Sequence, residues 1–186
     1  LCAVFIGFLA FTKPEGFLAA LILIFLGLIR VWRRTSGTNK IKSIKYFIGG
    51  TVATFLPAAL YSIFYAPSNI TFINGFLSSA NPASFKRLLF IFAFFGMELI
   101  NYKWGFVWIG LLLVGILSRG QCFAPKLRVI PLFLLLYVSV LILYYLTNTY
   151  FEIGWWMAVS LHRILFTLLP TTILWIFLSL KKQTRE

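Results

Sequence analysis

Apolar stretches of about membrane-spanning length, separated by short basic clusters, constrain this sequence more than any other feature. Of its 186 residues, 61% are hydrophobic and only 11% are charged, whereas average globular chains carry about 25% charged residues. So few charges cannot cover a water-exposed surface. A soluble domain, a disordered chain and a disulfide scaffold are therefore excluded, and a multi-pass helical membrane protein remains.

A spanning helix needs about 20 predominantly apolar residues, and several runs approach that length. They are 1–12, 17–32, 46–64, 104–118, 129–147 and 164–180. Residues 65–84 and 148–162 have the composition of loops. The sequence predicts an all-α, multi-pass transmembrane helical bundle of about five spans, of which the first is truncated.

Residues 85–101 have a different pattern. At about 100° per residue, Lys86, Arg87, Glu98 and Asn101 fall within one third of the circumference of a helix. Such a segment is typical of an amphipathic helix that lies in the membrane interface. We therefore predict an interfacial helix on the outer face at 85–101, with a tilted span as the alternative.

The basic residues set the orientation, because cytoplasmic loops are enriched in Lys and Arg. With 85–101 lying flat, loops 30–45 and 119–128 and the tail 181–186 share one side, and they hold most of the 17 Lys and Arg residues. The C-terminus is then cytoplasmic, in what we expect to be a bacterial inner membrane. The outer side carries 13–16, 65–103 and 148–163.

We predict a single membrane domain over residues 1–186. Leu1 begins inside an apolar run, which favours the C-terminal portion of a longer chain. The two cysteines, Cys2 and Cys122, are far apart and His162 is the one histidine, so no metal site is expected. No cofactor is evident; a divalent metal is conceivable, but no ligand cluster supports it. The basic clusters fit membrane loops and not nucleic-acid binding.

Two polar clusters fall on the predicted outer side. Lys13 and Glu15 flank Pro14 between two apolar runs, and Ser160, His162 and Arg163 precede the last run. Arg suits phosphate because its planar guanidinium donates two parallel hydrogen bonds, and His is a donor or a titrating group. The alternative is that both clusters are interfacial anchors or helix turns, the second helped by Trp155 and Trp156.

The same residues carry a family resemblance. The segment Phe11-Thr12-Lys13-Pro14-Glu15-Gly16 resembles the "TKxEG" turn of GT-C polytopic glycosyltransferases, in the group around protein O-mannosyltransferases and lipid A aminoarabinose transferases. The segment Ser160-Leu161-His162-Arg163, followed by Leu168-Leu169-Pro170, is similar to that group's closing "S-x-x-R … L-x-P" pattern. The order of basic loop, outer helix and closely spaced spans also fits.

The resemblance implies an enzyme that moves a sugar from a polyprenyl-phosphate carrier to an acceptor on the extracytoplasmic face. Membrane lipid and the carrier would be the partners of the chain. Lys13 and Arg163 would bind the carrier phosphate with His162 as a helper, and Glu15 and Ser160 would support them.

A catalytic base is the part of the family pattern that the sequence does not match. There is no aspartate, and none of the carboxylates Glu15, Glu98 and Glu152 is assigned as the base. We therefore expect the base to lie outside this chain, which would supply carrier binding and cavity walls. A transporter or flippase of a lipid-linked or small substrate, and a non-catalytic membrane subunit, remain as alternatives.

Overall fold

The computed structural model describes residues 2–10, 14–34, 38–64, 85–118, 121–147 and 152–180. Throughout these ranges the regular structure is helical and contains no strand. The helices are α1 (Cys2–Leu9), α2 (Pro14–Arg34), α3 (Thr38–Phe64), α4 (Phe85–Ile100), α5 (Val107–Leu117), α6 (Val129–Thr147) and α7 (Ile153–Leu180). Two short 3-10 helices, Tyr102–Trp104 and Gln121–Phe123, flank α5. The predicted all-α fold is confirmed.

Four of these helices are long and apolar enough to cross a membrane, namely Glu15–Arg33, Lys40–Tyr61, Val129–Thr147 and Ile153–Leu180. Large apolar side chains are exposed on all four, among them Phe25, Leu56, Leu135 and Phe177. Soluble proteins rarely expose contiguous apolar surface on this scale, whereas lipid chains cover it without cost. These helices indicate an integral membrane protein.

Several boundaries differ from the sequence prediction, and helix α3 begins at Thr38, inside the predicted loop 30–45. The apolar run 104–118 forms α5 of only 11 residues, which is about 16 Å long at 1.5 Å per residue, because the chain turns at Gly105 and Phe106. Residues 153–162, which we expected in a loop, are the first turns of the 28-residue helix α7. Polar side chains do not end this helix because other helices supply their hydrogen-bond partners.

The chain divides into two compact units, Leu1–Asn69 and Ile70–Glu186. In the first unit, α1 lies against α3 through small residues. Ala3 and Gly7 are buried on α1, and an added Cβ at Gly50 of α3 would lie 3.3 Å from Ala3 Cβ. Small residues at a helix interface let backbones approach closely, as is common in membranes.

Alanines continue this packing where α1 ends and α2 begins. Ala10, Ala20 and Ala58 form a buried cluster, and Phe17 and Phe55 pack against it with ring centroids 4.9 Å apart. Pro14 opens α2, a position where the missing N–H of proline costs no hydrogen bond. The single membrane domain over 1–186 stays a prediction.

In the second unit, α4 packs on α6 and α7. Ile91 and Phe95 are buried on α4, and Tyr145 of α6 and Leu161 of α7 are almost wholly buried. Arg87 of α4 donates from Nε and Nη2 to the carbonyl oxygen of Tyr145, at 3.2 and 3.0 Å. A cation at this position satisfies a carbonyl in the last turn of α6 and complements its helix dipole.

A buried polar cluster lies elsewhere in this unit, where the second 3-10 helix meets α7. Cys122 Sγ lies 2.9 Å from Ser118 Oγ and 3.2 Å from Ser179 Oγ. All three side chains are almost wholly buried. Trp175 Nε1 donates to the carbonyl oxygen of Cys122 at 2.8 Å. These contacts fasten the segment after α5 to the last turns of α7.

Candidate functional site

Glu98, near the end of α4, is the centre of the candidate site. Its Oε1 lies 2.8 Å from His162 Nδ1 of α7 and accepts from Trp104 Nε1 at 3.3 Å. Its Oε2 accepts from Asn101 Nδ2 at 3.4 Å. The Glu98 side chain is only 14% exposed. Three donors on two elements therefore compensate for the desolvation of this carboxylate.

A tight turn after α4 brings Trp104 back onto Glu98. Asn101 opens the 3-10 helix and its Oδ1 accepts from Lys103 N at 3.1 Å. Gly105 and Phe106 follow with φ angles of 54° and 60°. Two successive left-handed residues reverse the chain, and Phe106 is a bulky residue in a region that favours glycine. Such backbone strain is found preferentially at functional positions.

Aromatic rings enclose one side of His162. The Trp104 ring centroid lies 4.4 Å from that of His162 at an interplanar angle of 33°, and Phe166 stacks on Trp104 at 6.3 Å. Trp104 is buried, whereas the His162 side chain is 46% exposed. The site is thus a half-exposed imidazole, held by a sheltered carboxylate and covered on one face by indole.

The electrostatics follow from this arrangement. An ionised carboxylate only accepts hydrogen bonds, so the short contact with Glu98 makes Nδ1 of His162 the donor. Nε2 is then an acceptor in the neutral ring and a donor in the imidazolium. Elsewhere on α4, burial lowers the pKa of Arg87, which stays protonated at neutral pH because a guanidinium titrates far above it.

Two members of the polar stripe predicted on α4, Arg87 and Glu98, face protein. Arg87 contacts α6 and Glu98 contacts α7, and both lie on the side of α4 that also buries Ile91 and Phe95. Lys86 of the same stripe is exposed, and the interfacial position of the helix stays a prediction. Neighbouring helices contact these side chains. Helical angles show that polar residues share one side of a helix, but they do not show whether that side faces solvent or protein.

The predicted cluster on α7 is split between two sides of the helix. Ser160 is buried and its Oγ lies 2.6 Å from both Tyr145 Oη and the carbonyl oxygen of Trp156. His162 and Arg163 are exposed. Ser160 therefore stabilises the contact between α6 and α7, and it does not point to the side where His162 and Arg163 are accessible.

The remaining candidates are Lys13, Glu15 and Glu152. Lys13 lies outside the described residues. Glu15 is in the first turn of α2, where a carboxylate complements the helix dipole, and Glu152 directly precedes α7 and is exposed. Among the described residues, no three His, Cys, Asp or Glu side chains are grouped so as to hold a metal ion.

Sequence reasoning missed Asn101 and Trp104 as members of the site and left Glu98 without a partner. A signal was present: a carboxylate inside an otherwise apolar helix is costly near a membrane and is usually paired. The partner, His162, is 64 residues away in the sequence.

Comparison with protein-family models, with curated proteins and with solved structures finds no match for this chain.

Proposed function

We propose that the chain belongs to a membrane enzyme that transfers a sugar from a polyprenyl-phosphate carrier to an acceptor hydroxyl. The observation that carries the proposal is the Glu98–His162 pair, 2.8 Å apart, with Arg163 as the next residue of α7. Carboxylate and imidazole are acid–base groups, and guanidinium is a phosphate ligand. Glycosyl transfer from a lipid phosphate needs both.

Arg163 has the anion-binding role in this proposal. When the anomeric C–O bond of the donor breaks, the carrier phosphate leaves with the electron pair, and fixed cations stabilise its developing charge. Arg163 is exposed on α7 and so is accessible to a lipid headgroup. For Lys13, the phosphate-binding role stays what the resemblance to GT-C glycosyltransferases implies.

Helix lengths support the proposed position in the membrane. The 28 residues of α7 extend about 42 Å, which exceeds a hydrocarbon core of about 30 Å. His162 and Arg163 lie about 14 and 15 Å from the N-terminus of α7, so they come near the headgroup phosphates when the excess length of about 12 Å is on that side of the bilayer. The 16 residues of α4 extend about 24 Å, too short to span without thinning the bilayer, which favours an interfacial position.

The remaining features of the proposal come from the sequence. We propose a bacterial inner membrane, a cytoplasmic C-terminus and about five spans. The outer face then carries α4, His162 and Arg163, where a flipped carrier lipid presents its sugar.

The test is transfer of radiolabelled sugar from a polyprenyl-phosphate donor in vesicles that contain the full-length protein. A charged hydrogen bond to phosphate is worth about 1.5–3 kcal/mol, so Arg163→Ala is expected to weaken carrier binding by roughly 10- to 100-fold. Arg33→Ala, at the exposed end of α2, is the matched control and is expected to change nothing. Unchanged donor affinity in Arg163→Ala would overturn the phosphate assignment.

The same vesicles distinguish the alternatives. Movement of labelled carrier across the bilayer without sugar transfer would favour a flippase. The absence of both transfer and movement would favour a non-catalytic subunit.

A further inference from the structure

We infer that the general base of the proposed transfer lies within this chain: His162 accepts the proton of the acceptor hydroxyl, and Glu98 positions it. The inference rests on the proposed function and departs from the sequence expectation that the base lies outside the chain. Glu98 is a positioning residue here, because it acts through His162 and does not contact substrate.

Hydrogen bonding at Nδ1 is the first step of the inference. Glu98 Oε1 lies 2.8 Å from His162 Nδ1, and an ionised carboxylate accepts only. The proton of a neutral ring therefore resides on Nδ1, and the lone pair of the ring resides on Nε2. A carboxylate that fixes the tautomer also stabilises the imidazolium formed when Nε2 takes a proton.

Accessibility of Nε2 is the second step. Within the described part of the chain, Nδ1 is the ring nitrogen of His162 that has a hydrogen-bond partner, and the side chain is 46% exposed. A base must come within about 2.6–3.2 Å of the proton that it abstracts. The exposed part of the ring lets an acceptor hydroxyl approach, and Arg163 follows in the same helix.

Rigidity of the carboxylate is the third step. Trp104 Nε1 and Asn101 Nδ2 donate to Glu98 at 3.3 and 3.4 Å, and the carboxylate is only 14% exposed. The Trp104 ring also lies against the imidazole, with centroids 4.4 Å apart. One indole thus holds both members of the pair, which fixes the direction of the ring nitrogens.

His162 and the carrier phosphate account for the proton and the electron pair that move in the transfer. The acceptor oxygen forms a bond to the anomeric carbon as its proton passes to His162 Nε2. The bond from that carbon to the phosphate oxygen breaks, and the carrier phosphate leaves with the electron pair. The proton returns to solvent or to the departing phosphate, which restores the neutral imidazole.

The competing explanation is a purely structural pair that ties α4 to α7. Both explanations expect Glu98→Ala to destabilise the fold, so stability alone does not separate them. The response of turnover to added imidazole does separate them, whereas the tautomer of His162 tests the hydrogen bond on which the base assignment depends.

The first measurement is ¹⁵N nuclear magnetic resonance of histidine-labelled full-length protein in nanodiscs, with the His162 signals assigned by their loss in His162→Gln. We expect protonated Nδ1 and unprotonated Nε2 in the neutral ring, and a shift toward the other tautomer in Glu98→Gln. A wild-type ring protonated on Nε2 would overturn the inference whether or not the protein transfers sugar.

The second measurement is turnover with the labelled donor. General-base catalysis contributes about 10²–10⁴-fold, so His162→Ala should lower kcat within that range while KM for the carrier stays near the wild-type value. Free imidazole should restore part of kcat in His162→Ala and nothing in Arg163→Ala. Phe177→Leu is the matched control, because it removes an exposed ring from the same helix and leaves the rings around His162 in place.

The outcomes are distinguishable. No transfer by the wild-type protein overturns the proposed function. Transfer that survives His162→Ala undiminished, or a His162→Ala defect that imidazole does not relieve, overturns the base assignment alone. A fall in carrier affinity with unchanged kcat in His162→Ala would instead assign His162 to phosphate binding.

Discussion

The close approach of α1 to α3 gives a stability prediction that follows directly from geometry. In Gly7→Ala, the new Cβ would overlap the Thr54 hydroxyl and would lie 2.7 Å from Thr54 Cβ and 3.0 Å from Phe55 N. The hydroxyl cannot easily rotate away, because it donates to the carbonyl oxygens of Gly50 and Thr51 at 3.0 and 3.3 Å. The helices must therefore separate.

The magnitude is the balance of two effects. Overpacking a well-packed contact costs about 1–3 kcal/mol, and replacing glycine by alanine inside a helix recovers up to about 1 kcal/mol. We expect a net loss of about 1–2 kcal/mol, which corresponds to a fall in Tm of roughly 2–8 °C for a chain of this size. Gly49→Ala is the matched control on α3, where a new Cβ has no neighbour within 4 Å.

The assay is thermal unfolding of the chain in detergent, followed by circular dichroism, with a double-mutant cycle. Thr54→Gly removes the overlapping atoms, so Gly7→Ala combined with Thr54→Gly should be more stable than the sum of the two single changes predicts, by about 1 kcal/mol. Strict additivity, or a Gly7→Ala variant as stable as Gly49→Ala, would refute the packing of α1 on α3 at Gly7.

Two further changes test the second unit by the same assay. Gly105→Ala places a side chain at φ 54° with no neighbour within 4 Å, so conformational strain alone should lower the stability by about 1 kcal/mol. Gly110→Ala, in the middle of α5 where a new Cβ has no neighbour within 4 Å, is the control and should be neutral or stabilising. Equal effects of the two changes would contradict the left-handed turn. Arg87→Met removes two donors from the Tyr145 carbonyl oxygen and should cost about 1–2 kcal/mol. Lys86→Met, exposed on the same turn, should cost little, and an equal loss would contradict the cap on α6.

Hydropathy predicted the helices well where apolar runs end in polar segments. The run 129–147 coincides with α6, and the predicted helix 85–101 differs from α4 by one residue. The N-terminal turns of α7 were missed because Ser160 and His162 interrupt the apolar run. Their partners, Tyr145 and Glu98, lie on other helices, and an average along one segment cannot contain that information.

The candidate site was predicted in part for the same reason. His162 and Glu98 were both recognised as unusual groups for a membrane helix, yet their pairing spans 64 residues of sequence. Trp104 was interpreted as the start of a span, although the neighbouring Asn101 and Gly105 are residues that favour turns. The turn that they form determines which ring covers His162.

The enclosure of Cys122 has a practical consequence for experiments on this protein. Its thiol is buried between two serine hydroxyls, whereas Cys2 is exposed. A sheltered thiol is inert toward alkylating reagents until the surrounding segments open. The rate of maleimide labelling at Cys122, measured relative to that at Cys2 in the same sample, therefore reports how often the last turns of α7 separate from the segment around Cys122.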